Sequence, residues 1–152
     1  MTAIAPVLVL AVGNPSRGDD ALGPSLADRL EAAALPGVEV LTDFQLQIEH
    51  ALDLVGRERV IFIDAGTGTP PPFEVRRLQP AARYLHTSHA LSPEAVLATY
   101  ERVQGQPPPE CWALCVRGES FELGEQLSAA AAAHLEAAWE VLSVELTRSR
   151  PQ

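Results

Sequence analysis

Residues 6–23 read PVLVLAVGNPSRGDDALG. The run 6–12 is aliphatic and β-branched without a polar break, which predicts a strand buried on both faces, and Gly13 ends it. From Ala21 onward leucines at 22, 26 and 30 recur on one helical face, to a stop near Leu35–Pro36. Strand, glycine turn and helix in this order open an α/β fold. A glycine-rich turn after a buried strand suits a phosphate, but this one carries two adjacent carboxylates, Asp19 and Asp20. It contains neither GxGxxG nor GK[ST]. Asp43 stands where a ribose-binding acid would, yet the paired acids would occupy the helix start themselves and repel a pyrophosphate. The stretch argues against a nucleotide site.

The same alternation continues along the chain. VEVLTD (38–43) is a second strand, and Phe44, Ile48, Leu52 and Val55 form a helical stripe closed by Gly56. RVIFIDAG (59–66) is the third strand and the most clearly buried. After the stiff turn TGTPPP, FEVRRLQ (73–79) alternates apolar and polar and reads as a half-exposed edge strand. Ser92, Pro93 and Glu94 follow a loop with the signature of a capped helix start, and that helix runs to about Gln104. ECWALCVRG (110–118) is the last strand. A long helix from about Leu127 to Thr147 buries Leu135, Ala138, Trp139, Leu142 and Leu146. The fold class predicted is α/β: a three-layer α/β/α sandwich with a mainly parallel, roughly five-stranded twisted sheet. The 152 residues suit a single domain, 1–152, without internal repeats.

Bulk composition narrows the function. The net charge of −9 would repel the phosphates of a nucleic acid. No basic leader precedes the first apolar run and no stretch approaches the length of a membrane span, so a soluble cytoplasmic protein is expected. Cys111 and Cys115, four residues apart on one strand, would share a face about 13 Å apart. That is too far for a disulfide, and two buried core thiols in a reducing compartment are expected.

Ligands in such folds collect at the carboxyl ends of the strands. Acids fall there after each of the first three strands: Asp19 and Asp20, Asp43, and Asp64. For Asp20, capping of the following helix, with Asp19 solvated, is the simpler alternative. For Asp64, a turn cap over AGTG is the lesser alternative. Of the histidines, His134 in the closing helix reads as structural or exposed and His50 as a surface residue. His86 and His89, in LHTSH just before the capped helix, can face the edge that carries Asp20 and Asp64. Two carboxylates and an imidazole from separate loops make a site for a borderline cation such as zinc or nickel, with coordination positions left open. Neither a GxSxG elbow nor an HExxH motif is present. A cysteine within a strand is a poor candidate for an exposed nucleophile.

VLVLAVGNPSRGDDALGP, VIFIDAGTG and TSHALSPEAVL, in this order, resemble three segments of the nickel–iron hydrogenase maturation endopeptidases. These are an apolar strand with Gly-Asn and a paired acid, a third strand ending in Asp-Ala, and a histidine segment entering a helix. The resemblance implies a compact α/β/α fold with a five-stranded sheet. It also implies an endopeptidase that removes the C-terminal extension of the nickel-loaded hydrogenase large-subunit precursor. By motif, the metal ligands carry over to Asp20, Asp64 and His89, for recognition or for hydrolysis. The metal is then the nickel of the substrate precursor, with zinc or cadmium able to replace it in the isolated protein. The expected partner is that precursor, with neither nucleic acid nor membrane, and the protein itself is expected to be a monomer. Many members carry Asp-Gly-Gly after strand two. Here Asp43 is kept but TDFQLQIEH replaces the glycines, and FQLQIEHALDL resembles the branch serving cytoplasmic, bidirectional or NAD-coupled hydrogenases. Asp43 orients substrate or caps a turn. A non-enzymatic metal carrier would use the same three ligands.

Overall fold

A computed structural model of the chain describes residues 4–81 and 91–148. Its core is a five-stranded sheet in which β1 (Val7–Val12) lies between β2 (Val38–Asp43) and β3 (Arg59–Gly66). Strand β5 (Glu110–Arg117) follows β3, and β4 (Phe73–Arg77) closes that edge. Every neighbouring pair is parallel except β4 with β5. β1 is buried along its whole length, as an unbroken aliphatic run requires of a strand covered on both faces.

Alternation divides the sheet's side chains between two cores. Val7, Val9, Ala11, Ile61, Ile63, Leu114 and Val116 point to one face. There they meet α1 (Leu22–Ala33) through Leu22, Leu26 and Leu30, and α4 (Ala129–Thr147) through Leu135, Ala138, Leu142 and Leu146. Leu8, Leu10, Val60, Phe62 and Cys111 point to the other face. They pack with Leu54, beyond the short α2 (His50–Asp53), and with Val96, Leu97 and Tyr100 of α3 (Pro93–Gln104). Trp139 is half-buried, with the Arg29 guanidinium 4.8 Å over its ring. The capped helix starts where predicted: the Ser92 hydroxyl accepts the Ala95 N–H at 3.2 Å.

Two sequence expectations change. The stripe Phe44, Ile48, Leu52 and Val55 is exposed at 65, 51, 63 and 37 %. Residues 44–49 are not helical, so the helical phase starts afresh at His50, and Leu46, His50, Ala51 and Leu54 are the buried ones. The second change concerns the paired acids. α1 begins at Leu22, after a 3-10 turn over Gly18–Ala21 that contains both aspartates, and no side chain caps it. Asp20 is therefore not the cap of α1.

Candidate active site

The turn that bears the acids is forced by two glycines. Gly13 has φ +148°, and a Cβ there would collide with the Asp20 carbonyl oxygen. Gly18 has φ +53°, and a Cβ there would meet the Ser120 carbonyl. The close approach folds the chain back, so that the Asn14 N–H donates to Asp20 Oδ2 at 2.7 Å. Asp20 is half-buried and held against the end of β1 from which the loop departs.

Asp64 stands near the carboxyl end of β3, its Oδ1 accepting the Ala65 N–H at 2.7 Å. It keeps solvent access, yet protein crowds the carboxylate. That desolvation, countered by the Ala65 N–H and reinforced by the negative charge of Asp20, pushes its pKa up to about 6. Asp20 and Asp64 are thus brought together as like charges, an arrangement that a cation would relieve. Among the described residues no three His, Cys, Asp or Glu side chains gather as a metal-binding group. The proposed third ligand, His89, and its alternative, His86, lie outside the described residues. The segment's described flanks are Ala81, whose N–H donates to the Glu94 carbonyl at 3.3 Å, and Leu91, which packs on the α3 side of the sheet.

Asp43 does not join that pair. It is level with Val12 on β1 and shares the sheet face of Asp64, two strands away, about 10 Å by strand spacing. Its Oδ1 accepts the Phe44 N–H at 2.7 Å, and its Oδ2 faces His50 Nε2 across 3.3 Å. His50, expected on the surface, is 8 % exposed, and its Nδ1 accepts the Gln47 N–H at 2.8 Å.

Asp19, expected to be solvated, is fully buried. Its carboxylate accepts from the Glu119 N–H (2.6 Å), the Ser120 N–H (3.1 Å), the Ser128 N–H (2.7 Å) and the Ser128 hydroxyl (2.8 Å). Burial pushes its pKa up, but the bonds from Ser128, Glu119 and Ser120 outweigh it, and the net shift is downward. The backbone doubles the attachment: the Gly18 N–H donates to Glu125, the Asp19 N–H to Ser120, and the Gly124 N–H to Ser16. The acidic turn is thereby fastened to segment 119–128.

Only one cysteine is a fully buried core thiol. Burial raises the Cys111 pKa to about 12, against a lowering by Arg77. Cys115 is half-buried, pairs with Asp64 across β3 and β5 and with Glu74 across β4, and lies 2.9 Å from the Thr69 hydroxyl. Burial raises its pKa too, so neither thiol is an activated nucleophile. His134 is structural: its Nδ1 lies 3.1 Å from the Arg117 carbonyl.

The fold, a mainly parallel sheet covered on both faces, is similar to that of hydrogenase maturation endopeptidases of solved structure. The hydrogenase maturating endopeptidase HybD from E. coli superposes with a TM-score of 0.71 at 26 % identity, over 92 % of this chain and 91 % of its own. The hydrogenase 2 maturation peptidase from Thaumarchaeota archaeon SCGC_AB-539-E09 matches with a TM-score of 0.66 at 26 % identity, over 93 % and 99 %. The [NiFe] hydrogenase maturation protease HycI from Thermococcus kodakarensis KOD1 gives a TM-score of 0.74 over 95 % and 94 %. At 21 % identity this last match speaks for the fold alone. No protein-family model matches the chain, and no curated protein matches it by sequence.

Proposed function

We propose that the protein is an endopeptidase that removes the C-terminal extension of a nickel-loaded [NiFe] hydrogenase large-subunit precursor. The observation that carries this reading is the convergence of Asp20 and Asp64, within a fold shared with maturation endopeptidases over more than nine-tenths of the chain. In this reading Asp20, Asp64 and His89 grip the nickel that the precursor already carries. The metal marks a precursor that is ready to be cut. Asp20 reaches the edge through the Gly13 turn, and Asp64 contributes a carboxylate whose charge is costly until a cation arrives. Nickel, zinc and cadmium all suit two carboxylates and an imidazole. Asp43, two strands away, orients the polypeptide. Replacement of the glycines after Asp43 by FQLQIEHALDL supports the branch serving cytoplasmic, bidirectional or NAD-coupled hydrogenases. The enzyme then works as a cytoplasmic monomer. No described helix is long and apolar enough to cross a membrane.

The test is precursor shortening by the purified protein, with nickel-loaded and nickel-free precursor from each hydrogenase branch. Shortening is expected only with nickel, and Asp20→Ala, Asp64→Ala and His89→Ala are each expected to abolish it. Undiminished processing by the Asp64 and His89 variants removes the ligand set. Tight metal binding without any shortening favours the carrier reading instead.

A further inference from the structure

We infer that His50 is a positioning residue that fixes Asp43 for the bound polypeptide; this rests on the peptidase reading above. Asp43 ends the edge strand β2, and its side chain is 42 % exposed on the sheet face of Asp64. A turn cap needs only one carboxylate oxygen, and the Phe44 N–H satisfies Oδ1. The second oxygen is met by a buried imidazole, His50 Nε2 at 3.3 Å. The ring is held in turn, because its Nδ1 accepts the Gln47 N–H at 2.8 Å. With Nδ1 an acceptor, the neutral ring carries its proton on Nε2, the nitrogen that faces Asp43. A four-residue helix cannot hold a side chain in place by its own hydrogen bonds. Here the burial of Leu46, Ala51 and Leu54 on either side of His50 anchors it.

The result is a solvent-facing carboxylate with Oδ1 held by a hydrogen bond, Oδ2 beside a buried imidazole nitrogen, and lone pairs still open. Such a group accepts an N–H from a chain lying across the strand ends. His50 touches the substrate only through Asp43. A histidine needed merely to fill the core would be better replaced by an apolar side chain, since burying a polar ring without need costs stability. The exposed end of the pair is what an apolar substitute could not provide.

The test measures kcat/KM for shortening of nickel-loaded precursor by the full-length protein, with nickel binding and melting temperature recorded alongside. His50→Ala is expected to lower kcat/KM about ten-fold, mainly through KM, the size of effect of losing one close polar partner of a charged group. His50→Gln, whose amide N–H replaces the Nε2 proton, should recover most of it. The double variant with Asp43→Ala should be no worse than Asp43→Ala alone, and nickel affinity should be unchanged throughout. His50→Leu refills the core without a donor and carries the same expectation if His50→Ala fails to fold. Wild-type kcat/KM in His50→Ala or His50→Leu, or an additive double variant, overturns the inference while leaving the peptidase reading intact. A wild-type protein that leaves nickel-loaded precursor uncut overturns both.

Discussion

Asp19 accepts hydrogen bonds from four donors on residues 119–128 and is fully buried, whereas its neighbour Asp20 meets one N–H and turns to the strand ends. Removing the Asp19 carboxylate leaves four part-buried donors without their acceptor, so Asp19→Ala should cost about 2–3 kcal/mol, measured by urea denaturation. Its folded pKa lies below 3.8. The stability it contributes is therefore complete above the unfolded value and is lost as pH falls through the lower folded value. Acid unfolding should show this loss in the wild type and not in Asp19→Ala. Asp64 has the opposite sign. Its pKa, raised from 3.8 to about 6, means the native state holds a proton that the unfolded state has released, and stability falls as pH rises across that window. Asp64→Asn should therefore melt higher than wild type at pH 7.5. The difference should vanish below about pH 4, and calorimetry across pH decides it. In the sequence only the family resemblance separated Asp20 from Asp19. Nothing local distinguishes a carboxylate folded inward to meet residues a hundred positions away from one pointing out.

Both long capped helices start on serine, but the two caps are not equivalent. Ser92 accepts one N–H, from Ala95. Ser128 accepts the Ala131 N–H at 3.1 Å and also donates its hydroxyl to buried Asp19. Ser92→Ala should cost about 1 kcal/mol, as at an ordinary N-cap. Ser128→Ala should cost about 2 kcal/mol or more because Asp19 also loses a partner, and paired denaturation curves test the ranking. The strands and α1, α3 and α4 were legible because their apolar periods run long enough to be unambiguous: 59–66 for β3, or Leu135, Ala138, Leu142 and Leu146 in α4. The segment 44–55 was misread because i, i+4 spacing assumes unbroken helix from Phe44. The helix begins at His50, so the apparent core stripe became surface. The same error hid the His50–Asp43 pair, because an unbroken helix from Phe44 would carry His50 about 10 Å along its axis away from the end of β2.

The chain as a whole carries −9, and its two converging acids belong to different crossovers, one leaving β1 and one ending β3. Strand-end logic was enough to gather them from sequence, because a parallel sheet brings the carboxyl ends of β1 and β3 to one edge whatever the loops contain. An anionic molecule with two crowded carboxylates should take up a divalent cation in competition with protons. The cation needs Asp64 ionised, and Asp64 is half protonated near pH 6. Affinity should therefore be level well above pH 7 and fall at lower pH by roughly ten-fold per unit for each proton displaced, one from Asp64 and one from the His89 imidazole once it is charged. The electrostatic share should also weaken as salt screens the net charge. Calorimetric titration of nickel, zinc and cadmium into the isolated protein at pH 7.5, 6 and 5, each at low and high salt, measures both slopes. Asp64→Asn should lower affinity and flatten the pH slope. His50→Ala should leave both as in the wild type, because His50 acts on Asp43, about 10 Å away by strand spacing.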